Sequence, residues 1–279
     1  MALPTRHHGR LFLEIVHDNG RAAIARQRSS PPLQVFGLQY DATGAAAYLQ
    51  IVNPTGGLFE GDTADVEIAV RSGAHLYLTT QAATKIYPSE HGATTQQRTR
   101  LHVAAGAVLE YFPLPLIPFA RARFAQDTTV RVEPGGVCLV AEVLAPGRAA
   151  RGERFAYHLV DNRGEAWVGE HLALFEQMIL EPQRRSPESL GGLDGRSYLA
   201  TLYVFASQSF EAWVPEWNRR LTERYGGCVG IAELAYGGMV ARILGDTAQE
   251  TCRRLEAVHI LIRQEGLGLP PLRVYRPYS

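Results

Sequence analysis

One stretch of the chain, from Asn53 to Tyr87, gathers Asp62, Thr79, Thr80, Gln81, Thr84 and Lys85. A carboxylate and an ammonium at one site could serve as an acid and a base. With hydroxyls and an amide around them they could equally make a hydrated polar patch that receives a cation. Lys85 is the only lysine in the sequence; every other strongly basic residue is arginine. Either the composition simply leans to arginine, or this position needs a compact ammonium that can be desolvated, which a guanidinium cannot imitate. Further along, Glu110, Glu142 and Glu153 are carboxylates within apolar or turn-rich surroundings, with Arg148 beside Glu153. They suit a wet interior or salt-bridged turns, and the residues alone leave both readings open.

Several chemistries are excluded by spacing. The glycines from Gly56 to Gly61 resemble a phosphate-binding loop, but Asp62 stands where such a loop needs lysine. The chain contains no GxSxG elbow, no HExxH pair and no GxGxxG following a strand. The nine histidines are scattered. His7-His8 could touch a metal at the surface or be a solvated terminus, and His75, His102 and His158 fall on expected strands, where a polar-face role is the default. No nucleophile stands with its base.

The elements that must position these residues are mostly strands. Asn53-Pro54 opens a turn, and Gly56, Gly57 and Gly61 allow backbone conformations that side chains resist. From Thr63 to Val70 apolar and polar residues alternate with the period of a half-buried strand. Arg71-Ser72-Gly73 turns the chain, and Ala74, Leu76 and Leu78 continue the apolar face, so both polar segments return to one end. The scheme of strand, glycine turn and strand recurs about Gly73, Gly106, Gly135 and Gly164. A period of roughly 30 residues predicts stacked hairpins that cover one another's apolar faces. Asp18-Asn19-Gly20 predicts a further hairpin near the start. Three prolines in Leu109–Phe119 predict an extended apolar ribbon rather than a helix or a central strand. Ser209–Tyr225 reads as a helix kinked or started by Pro215. Thr247 and Glu250 form a capping box for a helix to about Gln264, with Leu255 and Ile262 on its apolar face. The expected fold is mainly β: stacked antiparallel β-hairpins and sheets, β-helix-like or a sandwich, with about two α-helices towards the C-terminus. It forms a single domain, β-rich over 1–206 and helix-containing over 207–279.

The 279 residues suffice for a large core, and the formal net charge of zero gives no long-range field towards nucleic acid or an anionic membrane. No run approaches the ~20 apolar residues of a membrane span. The N-terminus lacks the apolar stretch of a secretory signal. Three well-separated cysteines suit a reducing compartment better than a disulfide frame. The expectation is a soluble cytoplasmic protein.

Taken whole, the motifs resemble the urease accessory protein family UreD, also called UreH. The matching elements are Asn53-Pro54-x-Gly56-Gly57 through Gly61-Asp62, then Thr79-Thr80-Gln81-Ala82-Ala83-Thr84-Lys85-Ile86-Tyr87. Leu109-Glu110-Tyr111-Phe112-Pro113 with Ile117-x-Phe119, Gly147-Arg148 with Gly152-Glu153-x-Phe155, and the aromatic tail follow in order. Pro88 and Tyr111 depart from the family's usual Arg and Trp. The resemblance implies a non-enzymatic maturation factor on a β-rich scaffold. It would bind a UreF-like helical accessory protein directly and a UreG-like GTPase through it, and would dock on apo-urease, with neither nucleic acid nor membrane as a partner. It implies no tightly bound cofactor, with nickel only in transit. A conduit for nickel wants carboxylates, carbonyls and water, because imidazole or thiolate ligands would trap the ion. On that reading Asp62, Thr80, Gln81, Lys85, Glu110, Glu142, Arg148 and Glu153 are candidates for a polar passage. Asp62 and Glu142 would touch nickel transiently, and Leu255, Ile262, Tyr275 and Tyr278 would bind the helical partner. The competing class is a β-scaffold enzyme using Asp62 and Lys85 as acid and base, or an adaptor with no metal path.

Overall fold

The computed structural model describes residues 6–40 and 46–272. In chain order the strands begin with the hairpin β1 (His8–Asp18) and β2 (Arg21–Ser30), turning at Asn19-Gly20 as expected, then the short β3 (Gln34–Val35) and β4 (Gln39–Tyr40), and β5 (Ala47–Val52). After the glycine-rich loop come β6 (Thr63–Val70), β7 (His75–Thr80), β8 (Thr84–Ile86), β9 (Thr95–Val103), β10 (Val108–Phe112) and β11 (Leu116–Pro118). Next are β12 (Arg123–Val132), β13 (Val137–Leu144), β14 (Leu159–Val168), β15 (His171–Leu180) and β16 (Tyr198–Ala206). Helix α1 (Val214–Tyr225), β17 (Val229–Glu233), β18 (Met239–Gly245) and helix α2 (Ala248–Leu261) complete the order. The mainly β, stacked, solenoid-like architecture with two C-terminal helices is the one expected.

The pairing inside the stack differs from the expected antiparallel hairpins. Strands β6 and β7 do not pair with each other. β6 joins a seven-stranded sheet in the order β15-β14-β12-β9-β6-β1-β2, and β7 joins an eleven-stranded sheet whose main path is β17-β18-β16-β13-β10-β7-β5-β3, both counted among the described residues. Each glycine turn is thus an arch from one sheet to the other, and successive arches stack in parallel: β6 on β9, β9 on β12, β7 on β10, β10 on β13. Alternation along a strand reports which face is buried, not which strand lies alongside, so hairpin and arch leave the same pattern. Gly73, Gly106 and Gly135 sit at positive φ in these arches. The fourth turn is at Gly169, whereas Gly164 lies within β14. There β14 and β15 do form an antiparallel hairpin.

Three layers result. Leu13, Ile68, Leu101, Leu109 and Phe124 belong to the core between the sheets. Leu139, Leu202, Ile243, Trp217, Leu255 and Ile262 form a second core between the larger sheet and the helices. That sheet is covered on both faces, which explains its nearly continuous apolar strands. β10 is one of them, so Leu109–Phe112 is a central strand and not part of a proline ribbon; the prolines begin only after it. Pro215 stands at the true start of α1, and Thr247 caps α2 by accepting from the Glu250 N–H.

Candidate functional site

A polar seam crosses the largely apolar space between the sheets, with the buried Thr99 and Thr128 one step further along β9 and β12. In the smaller sheet Gln97 (β9), Gln126 (β12) and Asn162 (β14) are register partners, so one amide from each of three successive parallel strands points inward in line. Opposite them Glu142 (β13), Thr201 (β16) and Arg242 (β18) are likewise aligned across three neighbouring strands. Because register partners lie side by side, this line runs across the strands, along the axis of the stack.

Glu142 is the centre of the seam. Its Oε1 accepts from Gln126 Nε2 at 2.8 Å and its Oε2 from Asn162 Nδ2 at 2.7 Å. Burial is the largest influence on this carboxyl and pushes its pKa up from the ordinary range, against the Asn162 hydrogen bond and the Arg242 charge. Glu176 (β15) enters from the edge of the smaller sheet and pairs with Arg242 through both carboxylate oxygens. Arg242 also donates to Thr201 Oγ1 at 2.6 Å.

The seam is hollow. A cavity of about 60 Å³ is bordered by Gln97, Gln126, Glu142, Asn162, Glu176 and Arg242. Another of about 60 Å³ adjoins it through shared Thr84, Gln97 and Pro113, and extends to Thr80, Gln81 and the loop residues Asn53, Gly56 and Gly57. A third, of about 20 Å³, adjoins the first at Glu142, Asn162 and Glu176. Each of the larger two has room for several water molecules. The loop at one end is fixed by a close approach. Leu58 donates to Lys85 O at 2.8 Å, Tyr87 donates to Leu58 O at 2.9 Å, and a Cβ on Gly57 would lie 2.4 Å from Lys85 O. Only glycine fits there.

The expected site residues divide between the seam and other duties. Thr80, Gln81 and Glu142 border the cavities, Gln81 on an exposed stretch. Asp62 is buried, with one carboxylate oxygen accepting from His7 N at 2.8 Å and the other from Phe59 N at 2.9 Å. It ties the first strand to the glycine loop. Lys85 is half-buried, and among the described residues no carboxylate forms an ion pair with it. The proposed Asp62–Lys85 acid–base couple is therefore not assembled. Arg148 pairs with Glu153 and lies 4.1 Å from the Phe119 ring centroid, bracing the loop after β13. The Arg148 hydrogen bond holds the Glu153 carboxyl below its ordinary range.

Glu110 faces away from the seam. Its neighbours Leu109 and Tyr111 point into the core between the sheets, so strand parity sends Glu110 under α2. There, fully buried, it meets His75 Nε2 at 2.7 Å, His259 Nε2 at 2.5 Å and the guanidinium of Arg263. Burial alone would push this carboxyl up; hydrogen bonds from His259 and His75, with their charge, hold it well below the ordinary range. Leu255 on α2 and Ile262 just past its end are buried against the larger sheet, so these two side chains pack in the chain's own core and are not open to a partner. Tyr275 and Tyr278 lie outside the described residues.

Sequence reasoning missed Gln97, Gln126, Asn162, Glu176 and Arg242. Lone polar residues on alternating strands read as solvent-facing. The usable signal was that Gln97 and Gln126 are separated by the same interval as Gly106 and Gly135, which puts them at one position of the repeat. Among the described residues no group of three or more His, Cys, Asp or Glu is arranged to hold a metal, and no helix is long and apolar enough to cross a membrane.

The sequence profile described as UreD urease accessory protein matches residues 7–276. The chain belongs to that family. It is 36% identical to the urease accessory protein UreD of Actinomyces naeslundii over 265 residues, covering 95% of this chain and 97% of the relative. It is 33% identical to UreD of Mycolicibacterium gilvum, covering 96% and 98%. With UreD of Arthrobacter sp. the identity is 31%, covering 95% and 93%. UreD proteins are accessory to urease and are not themselves enzymes, so the seam is not a catalytic centre.

Proposed function

We propose that this chain is a scaffold in urease maturation and that nickel crosses it along the polar seam on the way to apo-urease. In this reading a UreF-like helical protein binds the chain directly, a UreG-like GTPase joins through it and supplies the nickel, and the assembly docks on apo-urease in the cytoplasm. The carrying observation is the run of adjoining cavities from the Gly56-Gly57 loop to Glu176 and Arg242, in whose largely apolar walls amides and hydroxyls recur and the carboxylates Glu142 and Glu176 stand towards one end. Such ligands exchange nickel readily, whereas a His or Cys cage would hold it. Nickel is cargo here, not a resident cofactor. Free Cys138, Cys228 and Cys252 accord with a reducing compartment. The C-terminal residues with Tyr275 and Tyr278 are assigned to the helical partner.

The test is reconstitution of urease activation from apo-urease, nickel, GTP and the partner proteins, with and without this chain, and with Glu142→Ala in its place. Activation should require the chain, and Glu142→Ala should lower it while the complex still assembles. Full activation by Glu142→Ala would leave a dry adaptor role instead. Deleting residues 273–279 should weaken co-purification of the helical partner, and unchanged co-purification would remove the tail from the interface.

A further inference from the structure

The seam already contains a cation. Besides the carboxylates of Glu142 and Glu176, the first cavity is lined by the guanidinium of Arg242. Both terminal contacts to Glu176 come from one Arg242 nitrogen, Nη2, while Nη1 is anchored at 2.6 Å on Thr201 Oγ1. Tyr203 adds a hydroxyl at 3.3 Å from Glu176 Oε2, and its ring lies 5.5 Å from the guanidinium. Thr201 links Arg242 to Glu142 in the register, so the guanidinium stands one strand beyond the residue next to the buried carboxylate. A guanidinium stays protonated under any condition in which the protein is folded. Against two carboxylates, this one positive charge leaves the seam a single net negative charge in place of two, which weakens its attraction for a second cation.

Exposure distinguishes the three charged groups. Glu142 is held inside by two amides, whereas the Arg242 side chain is 39% exposed and that of Glu176 29%. Arg242 therefore has solvent to withdraw into, whereas Glu142 is half-buried and tied at both oxygens by Gln126 and Asn162. A divalent ion that reached Glu142 and Glu176 would find oxygen ligands from both, from Thr201 and from the seam amides, once the guanidinium had moved aside. When the ion left, the guanidinium would return to Glu176 and oppose rebinding.

We propose that Arg242 is a displaceable internal counter-ion, which occupies the divalent-cation position between Glu142 and Glu176 and keeps the ion's residence there short. The proposal deepens the passage reading and rests on it. It assigns to Arg242, with Glu176 as its seat, the setting of how tightly the seam holds its cargo. An ion pair of purely structural value makes a different prediction, since its loss would destabilise the fold and leave metal binding no stronger.

The test uses the full chain and Ni²⁺ alone, titrated by calorimetry, together with urease activation in cells that supply the partner proteins and apo-urease. Arg242→Gln should tighten Ni²⁺ binding at least roughly tenfold, because it removes a unit positive charge a few ångströms from the ion, and should lower activation as the ion is retained. Arg242→Lys keeps the charge but loses the planar guanidinium, so its affinity should fall between wild type and Arg242→Gln. The double variant Arg242→Gln/Glu176→Gln, with the same net charge as the wild-type seam, should return to wild-type affinity. Should Arg242→Gln fail to fold, the comparison of Arg242→Lys with wild type decides the matter. Affinity unchanged in the folded variants overturns the proposal. Glu142→Gln separates the two layers of the argument. If it activates urease fully, the passage itself fails. If it lowers activation while the Arg242 variants bind Ni²⁺ no tighter, only the counter-ion role is lost.

Discussion

Replacing Glu110 by Gln keeps the side chain's volume and removes its charge from the cluster of buried ion pairs that pins the helical layer to the larger sheet. Glu110 has no exposed side-chain surface and Arg263 only 2%. The variant leaves a guanidinium buried without its counter-charge, facing an amide that also has to satisfy His75 and His259. Removing one partner of a buried pair costs about 3–5 kcal/mol. That is a large part of the about 5–15 kcal/mol that keeps a domain folded. With an unfolding entropy of about 2.1 cal/mol/K per residue, a chain of this size should lose roughly 5–9 °C of melting temperature. Calorimetry of the full chain at neutral pH reads this directly. Glu110→Gln combined with Arg263→Met should recover part of the loss, since the buried guanidinium is then no longer left without its counter-charge. The pH dependence has a definite sign. The Glu110 carboxyl is held below its ordinary value in the fold, so its contribution is complete above the unfolded value of about 4.3 and fades as pH drops through the folded value. The gap between wild type and variant should therefore persist from neutrality to mildly acid pH and close only in strong acid. A drop of less than about 1 °C would refute the claim that this cluster holds the helices to the sheet.

Glu142 should behave in the opposite sense. Its carboxyl is pushed up by burial, so its contribution is complete below the unfolded value and is lost as pH rises through the folded one. Glu142→Gln should be at least as stable as wild type at pH near 8, with the difference shrinking in acid, even as urease activation falls; melts at the two pH values check it. Gly57→Ala forces a Cβ against the Lys85 carbonyl and should cost about 1–3 kcal/mol, seen as an earlier denaturation midpoint. On the outer face of the smaller sheet Arg10, Asp65, Arg98, Asp127 and Arg163 alternate in sign across five neighbouring strands. Asp127→Asn should cost no more than about 1 kcal/mol at low salt, and the cost should shrink at about 1 M salt; a salt-independent loss would contradict an electrostatic origin.

The sequence disclosed the arches more readily than their partners. Gly73, Gly106 and Gly135 mark real turns because each requires positive φ, a local property. Thr247 and Pro215 likewise mark helix starts through local chemistry. Parallel stacking is a non-local choice, invisible to alternation. Gly164 misled because glycine within a strand and glycine at a turn look alike until the register is known. The fate of Glu110 was half legible. Its apolar neighbours Leu109 and Tyr111 put it on the far face, but that this face would be covered by α2 depends on His259 and Arg263, about 150 residues further on in sequence. Asp62 was legible as important but not in its role, since a carboxylate that caps two backbone N–H groups and one that faces water have the same composition around them.

The seam shows why its carriers were the hardest residues to find. In a stack of arches, a polar side chain inside one strand is costly unless a polar partner stands beside it in the next rung. Gln126 meets this by donating to Glu142 and, at 3.2 Å, to Asn162 of the neighbouring strand. An inward polar residue is thus favoured where another stands at the same height, as Gln126 and Asn162 do beside Glu142, with Gln97 as the next register partner. A continuous polar line is the inexpensive arrangement, and isolated inward polar groups are the expensive one. The same rule that stabilises the amides lines up polar groups over three neighbouring rungs, from β9 to β14, with the Glu176–Arg242 pair beside their end, while Ala64 ends the line on β6. If the proposed passage holds, a substitution that breaks the line at Gln126, such as Gln126→Leu, should impair urease activation even though it adds apolar core.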